Sequence, residues 1–413
     1  MQKITIVIPY EGAERYTGIW ATEEERIDFR REQERACRCT LSFAATELKH
    51  YLSLTLTQSE IRFSSKGGEG FQIYLSLTAG ECEDDYRLLP CEGGIHIEGN
   101  SRRSVLYGAY EFLKMQGWRW YYPDAGGEIA PDKRENLCLP DGPEVFHPSL
   151  PFARSFDMSE GYVYTSSAFL MWMIRNRMSV AIAKEPTRAL ARKLGFISKY
   201  GGHIFEQMLA PDKPWDNGTD LYASHPEWYG LPENGKRVRE KAMSVQLCVA
   251  HDDMFQYLGK ELVAKLRQEW KDFDRIDIWG FDTWGSACAC EACKKIGNNT
   301  DRAAYFLSKL REQVDEAVKD GTLDHQVQLI MCSYEGTYTL QAPTKPTPEN
   351  LVGTGDSMVF YPINRCYEHC MEETCCINER YQKAIRDWNS SPNRLPMVIG
   401  EYYNCLLYTS RCV

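Results

Sequence analysis

The sequence predicts an α/β protein: an N-terminal α/β sandwich domain, then a (β/α)8-type barrel truncated before its last β/α unit. Three observations predict it. Strand-like and helix-like patterns alternate along the 413 residues. A proline-rich stretch between Pro140 and Pro151 separates residues 1–147 from 150–404. Beyond it, short apolar runs end in glycine or polar residues at the spacing of barrel strand ends.

In residues 1–147, the β-branched run at 4–8 predicts a strand, and helix 42–51 and strands 59–65 and 71–77 follow. Residues 93–100 predict a short strand closed by a turn. Ser101 then caps a helix whose apolar positions, Val105, Leu106, Ala109, Tyr110, Phe112 and Leu113, recur at three and four. This domain offers no nucleophile set and no phosphate loop, and it reads as scaffold or rim.

In residues 150–404, a first barrel strand is expected at 152–156, ending near Asp157. A helix at 171–177 and a second strand at 178–183 follow. A third strand runs into Gly201, Gly202 and His203. Helix 255–273 carries Leu258, Leu262, Leu266 and Trp270 at a period of four. Strand 276–281, helix 303–315, strand 326–332, strand 357–361, helix 377–388 and strand 397–399 complete the series. Seven strands leave a barrel one short of closure. Residues 405–413 read as a spurious or disordered tail, and open edges would favour self-association into a homo-oligomer.

Composition narrows the function. A formal net charge of −10, spread along the chain, argues against nucleic-acid binding. No run of 18 apolar residues is present, and residues 1–9 are too short an apolar stretch for a secretion signal, so a cytoplasmic protein with no membrane partner is expected. Ten Trp and 24 Tyr supply faces on which sugars can stack.

The segment from Arg275 to Cys293 is the centre of the functional reading. An apolar strand there breaks at Gly280 and leads to Asp282, Trp284 and Gly285, the way a barrel presents a sugar site. Glycoside hydrolysis needs two carboxyl groups converging from different strand ends. The candidates are Asp282 as general acid, held up in pKa by an apolar wall of Trp279 or Trp284, and Glu401 as base or nucleophile, with Glu335 as a further carboxylate. Candidate sugar contacts are His203, Trp279, Trp284, Arg365, Tyr367, His369, Tyr402 and Asp157. Such a reaction needs no metal or other cofactor, and its partner is a carbohydrate substrate.

Sixteen cysteines with no secretion signal are expected to be reduced. Cys288-x-Cys290-x-x-Cys293 has metal-like spacing but supplies three thiols, where structural zinc takes four ligands. Cys248, Cys332 or His369 could complete it, and nothing in the sequence brings any of them near. Cys366, Cys370, Cys375 and Cys376 raise the same question. Two rivals to hydrolysis therefore stay open: a non-catalytic carbohydrate-binding protein and a zinc-stapled structural protein.

The segment from Ser101 to Leu113, with Gly117 to Tyr121, resembles the N-terminal domain that precedes the barrel in α-glucuronidases and β-hexosaminidases. The stretches Trp172 to Met178, Gly201 to His203, His225 to Tyr229, Gly235 to Arg237, Gln246 to Cys248, Cys288 to Cys293 and Arg365 to His369, with Trp388, resemble a bacterial family of uncharacterised α-glucuronidase-like proteins. The resemblance implies a barrel and carbohydrate-active chemistry, with a uronic-acid-containing glycan as substrate. In α-glucuronidases the general acid is a Glu at the end of strand four, where this chain has Asp282. The base side comes from later strands, which makes Glu401 its positional match.

Overall fold

The computed structural model describes residues 2–148, 154–155, 166–182, 184–216, 218–392 and 394–401. By packing, the chain divides into two compact units between Ser198 and Lys199.

The first unit runs through β1 (Gln2–Val7), α1 (Ala13–Trp20), α2 (Gln33–Thr55), β2 (Ser59–Ser64), β3 (Phe71–Leu77), β4 (Tyr86–Cys91) and β5 (Gly94–Gly99). It continues with α3 (Arg102–Met115), β6 (Arg119–Trp120), β7 (Glu128–Ile129), β8 (Glu144–Phe146), α4 (Ser167–Arg175), β9 (Val180–Ala181) and α5 (Arg188–Leu194). Its main sheet has the order β2-β1-β3-β5-β4-β8, with β4 antiparallel to both neighbours. Alternate residues Ile4, Ile6, Ile73, Leu75, Ile95 and Ile97 share a core with Leu41, Leu48 and Leu52 of α2 and with Leu106, Phe112 and Leu113 of α3. Ser101 caps α3 as expected, in a reciprocal pair with Ser104.

Strand β4 escapes the sequence pattern because it contains Pro90, which has no N–H for a ladder. The structure accommodates it because β8 pairs only with Tyr86, Arg87 and Leu88, so Pro90 lies where β4 is an edge again. Phe169, Leu170, Met173 and Ile174 of α4, and Ala191 and Leu194 of α5, join the same core. The packing division therefore falls some way beyond the proline-rich stretch at 140–151.

β10 (Ile197–Gly202) begins in the first unit, where Ile197 and Ser198 pair with β9, and it leads into the second. Then come α6 (Phe205–Met208), α7 (Leu221–Ser224), α8 (Asp252–Arg267), β11 (Arg275–Ile278), α9 (Glu291–Ile296) and α10 (Asn299–Lys319). β12 (Gln328–Ser333), β13 (Ser357–Phe360), α11 (Cys376–Ser390) and β14 (Met397–Ile399) complete it. From β10 to β14 every neighbouring pair is parallel and spatial order follows chain order. A doubly wound sheet reverses its strand order at a switch point, and this one does not. Winding in one direction puts the crossover helices on one face, and the sheet curls into an incomplete parallel barrel, the fold class expected.

The expected first barrel strand falls mostly outside the described residues. Of its two described members, Arg154 and Ser155, neither is in a strand, although the Arg154 carbonyl accepts from the N–H groups of Ser179 and Val180 at 2.8 and 3.0 Å. Asp157, Tyr402 and residues 405–413 also lie outside them. Among the described residues no helix is long and apolar enough to cross a membrane.

A buried ion pair fastens the N-terminal end of this sheet. The side chains of Arg311 on α10 and Asp356, just before β13, are 1% and 0% exposed and bond by two guanidinium nitrogens. Asp356 also accepts the Leu329 N–H at 2.7 Å, and Arg311 donates to the Val327 carbonyl at 2.9 Å. One pair thus joins α10, β12 and β13. Removing Asp356 leaves the buried Arg311 with only a long 3.5 Å pair to the half-buried Asp315 and neutral bonds to Gln326 and Val327, so Asp356→Ala should cost ~3–5 kcal/mol in urea unfolding. A loss within about 0.5 kcal/mol, the range of an ordinary surface substitution, would show that the pair does not hold the sheet.

Candidate active site

Because β10 to β14 are parallel and in sequence order, the residues that follow them meet at one rim. His203 follows β10, Trp279 and Asp282 follow β11, Tyr334 and Glu335 follow β12, Arg365 follows β13 and Glu401 follows β14.

The backbone of the β11 loop is clamped from two sides. The buried Gln246 side chain donates to the Phe281 carbonyl at 2.6 Å and accepts the Phe281 N–H at 3.1 Å. The Gly336 carbonyl accepts the N–H groups of both Thr283 and Trp284 at 3.1 Å. Gly336 must be glycine, since a Cβ there would collide with Asp282 Oδ1 and the Tyr334 ring. The Asp282 N–H is taken by Glu206 on α6 at 2.9 Å. Asp282 itself is exposed, which corrects the expectation of a general acid walled in by Trp279 or Trp284. Its carboxylate makes no hydrogen bond to the other described residues.

Glu335 is held more firmly. It accepts from Asn364 Nδ2 at 2.7 Å and from the Tyr381 hydroxyl at 2.8 Å, and pairs with Arg380 Nη1 at 2.9 Å. Burial first, and then the bond to Glu335, push the Tyr381 phenol above its ordinary range, so it remains a donor. Next in the chain, Arg365 donates to Glu401 at 2.9 Å and lies 4.0 Å over the Tyr367 ring. Asn364 and Arg365 thus bridge Glu335 to Glu401, while the Gly336 contact joins Glu335 to the Asp282 loop. Asp282, Glu335 and Glu401 form one lateral series along the rim. Arg365, a candidate sugar contact, is thus also the partner of Glu401.

Aromatic side chains line the same strand ends. The His203 ring meets Trp279 edge-on at 5.3 Å, and Trp279 meets Tyr361 at 5.3 Å. Tyr334 lies 5.4 Å from Trp284 and 6.3 Å from Tyr361. The His203 Nδ1 lies 2.6 Å from the Gly280 carbonyl. A carbonyl can only accept, so that nitrogen carries the proton. Trp279 Nε1 is buried and unpartnered among the described residues. Trp284 and Tyr338 are 51% and 55% exposed and have φ of 50° and 61°, a left-handed backbone that costs non-glycine residues and clusters at binding sites.

At Gly201, with φ of 115°, a Cβ would collide with the Asp277 backbone of β11, so the close approach of two strands accounts for this glycine. His369 is exposed, with its Nδ1 3.2 Å from Cys366 Sγ. Glu206, Gln246, Tyr361, Asn364, Arg380 and Tyr381 belong to the rim and are not singled out as site residues by the sequence. Only Gln246, beside Cys248 in an apolar run, carries a local signal.

Residues 135–408 match the profile of a domain of unknown function, DUF4838, and the chain belongs to that family. No match was found among curated proteins. Three solved structures illustrate what the chain is similar to. A GH138 enzyme targeting pectin rhamnogalacturonan II is 9% identical, with 95% of this chain and 46% of that one covered and a TM-score of 0.44. A family GH115 4-O-methyl-alpha-glucuronidase with specificity for decorated arabinogalactans is 12% identical, with 96% and 54% covered and a TM-score of 0.45. A chitobiase of Flavobacterium johnsoniae is 12% identical, with 87% and 53% covered and a TM-score of 0.44. The chain spans about half the length of these structures.

The Tyr381 bond to Glu335 can be tested directly. Tyr381→Phe removes one donor to a charged group and leaves the Asn364 N–H without its acceptor. It should lower unfolding stability by ~1.5–3 kcal/mol. A change below about 0.5 kcal/mol would mean that water replaces the phenol at no cost.

Proposed function

We propose that this protein is a glycoside hydrolase acting on an oligosaccharide or polysaccharide through carboxylates at the rim of its barrel. The observation that carries the proposal is the lateral series Asp282, Glu335 and Glu401, joined through Gly336, Asn364 and Arg365 beside the aromatic strand ends. In this reading the Asp282 carboxylate, which makes no hydrogen bond to the other described residues, protonates the leaving oxygen, and a bound glycan supplies the apolar cover that the exposed side chain lacks. Glu401, oriented by Arg365, acts on water as base or on the sugar as nucleophile. Glu335, held by three donors, positions the Asn364–Arg365 segment. Trp284 and Tyr338 offer exposed faces for sugar rings.

The finer assignment, a uronic-acid-containing glycan, draws on the sequence resemblance. A substrate carboxylate would have to displace Glu401 from Arg365 or meet His203. A second reading, carbohydrate binding without catalysis, is favoured by the engagement of Glu335 and Glu401 in ion pairs.

A panel of glycans assayed with the wild type, Asp282→Asn and Glu401→Gln separates the two. Loss of an acid or base group should lower the rate by ~10²–10⁴-fold in each variant while glycan binding persists. Wild-type rates in both variants would remove the assignment. Binding of a glycan by the wild type without turnover would favour the binding reading.

A further inference from the structure

The loop that carries Asp282 continues into a cluster of four cysteines, one of them supplied from another part of the chain. Cys288 and Cys290 stand on the segment leading into α9, Cys293 lies in the first turn of that helix, and Cys248 closes the segment before α8. The four sulfurs all lie within 4.8 Å of one another. Cys248 Sγ is 3.6 Å from Cys290 Sγ and 3.7 Å from Cys293 Sγ. A disulfide would place two sulfurs about 2.05 Å apart. Four thiolates at ~2.3 Å from one zinc ion sit ~3.8 Å apart along the edges of a tetrahedron. The separations from Cys248 to Cys290 and to Cys293 match those edges, and all four sulfurs are close enough to share one ion.

We infer that Cys248, Cys288, Cys290 and Cys293 bind a structural zinc ion. Cys248, Cys288 and Cys293 are buried and Cys290 is half-buried, so the site is closed to water on most sides, as structural zinc requires. The surroundings suit thiolates. The Leu231 N–H donates to Cys288 Sγ at 3.2 Å, and the Cys293 N–H donates to Cys290 Sγ at 3.4 Å. Arg302 donates to the Cys288 carbonyl at 2.7 Å, and Lys294 and Lys295 lie in the last turn of α9. Lys294 is itself paired with Glu291 at 2.8 Å, so Arg302, buried beside Cys288, is the better placed cation against the negative charge of four thiolates. Each thiol releases its proton to solvent as the metal binds, and no electron is exchanged.

The ion would close the chain between Cys248 and Cys288, which includes α8 and β11. The two segments already touch: Gln246 N–H donates to the Ser286 carbonyl at 2.9 Å, and Ala289 N–H to the Leu231 carbonyl at 2.7 Å. Zinc would fix the far end of the loop that Gly336 and Gln246 hold at its near end. The inference stands independently of the reaction proposed above.

The test is metal analysis of the full chain purified under reducing conditions without chelator. The wild type and Cys332→Ser, a buried cysteine outside the cluster, should carry stoichiometric zinc. Cys248→Ser and Cys290→Ser should lose it, while Cys290→His, which restores a ligand, should keep it. Should the serine variants fail to fold, cobalt substitution of the wild type decides: a tetrahedral tetrathiolate spectrum supports the site. Wild-type protein that carries no zinc and takes none up on titration overturns the inference. So does stoichiometric iron in place of zinc, or full zinc retention in both serine variants.

Discussion

One backbone carbonyl organises the rim of the second unit. Gly336 accepts two successive N–H groups from the loop after β11, and it can do so only because it has no side chain to strike Asp282. Everything proposed for the site depends on that contact. It sets Asp282 beside the loop that bears Glu335, and Glu335 in turn holds the segment that orients Glu401. The carboxylates belong to one arrangement because neighbouring loops are fastened to each other as well as to their own strands.

The fold was legible where physical pattern is local. Apolar runs at 276–281, 326–332 and 357–361 contain most of β11, β12 and β13, because strands buried on both faces are largely apolar, although β11 also buries Arg275 and Asp277. The helix at 303–315 proved longer, since Asn298 and Asp301 form its capping pair and both are polar residues outside the apolar stripe. β4 was hidden by Pro90, whose tolerance depends on how far β8 extends, a tertiary fact.

The site was legible only in its strand-end residues. Asp282, Glu335 and Glu401 could be picked out because each follows an apolar run. Their partners could not. Glu206 lies 76 residues from Asp282, and Tyr381 lies 46 residues from Glu335, and neither carries a local signal of its partner. The glycines before His203 show how register assigns a role. Their backbone freedom was visible, but whether it served a ligand or the close approach of β11 is decided by register. The cysteines are intermediate: the spacing of Cys288, Cys290 and Cys293 suggested a metal, and only folding selects Cys248 over Cys332 and His369 as the fourth.

The buried pair of Arg311 and Asp356 sits where β12 and β13 begin, whereas the acidic series sits where the strands end. The two ends of the sheet thus carry different duties: one secures the strands, and the other presents the candidate site. Changes in the loops beyond β11, β12 and β13 leave the charge pair that secures the strands untouched. An exchange of those loops is therefore a graft onto a foundation that keeps its own fastening.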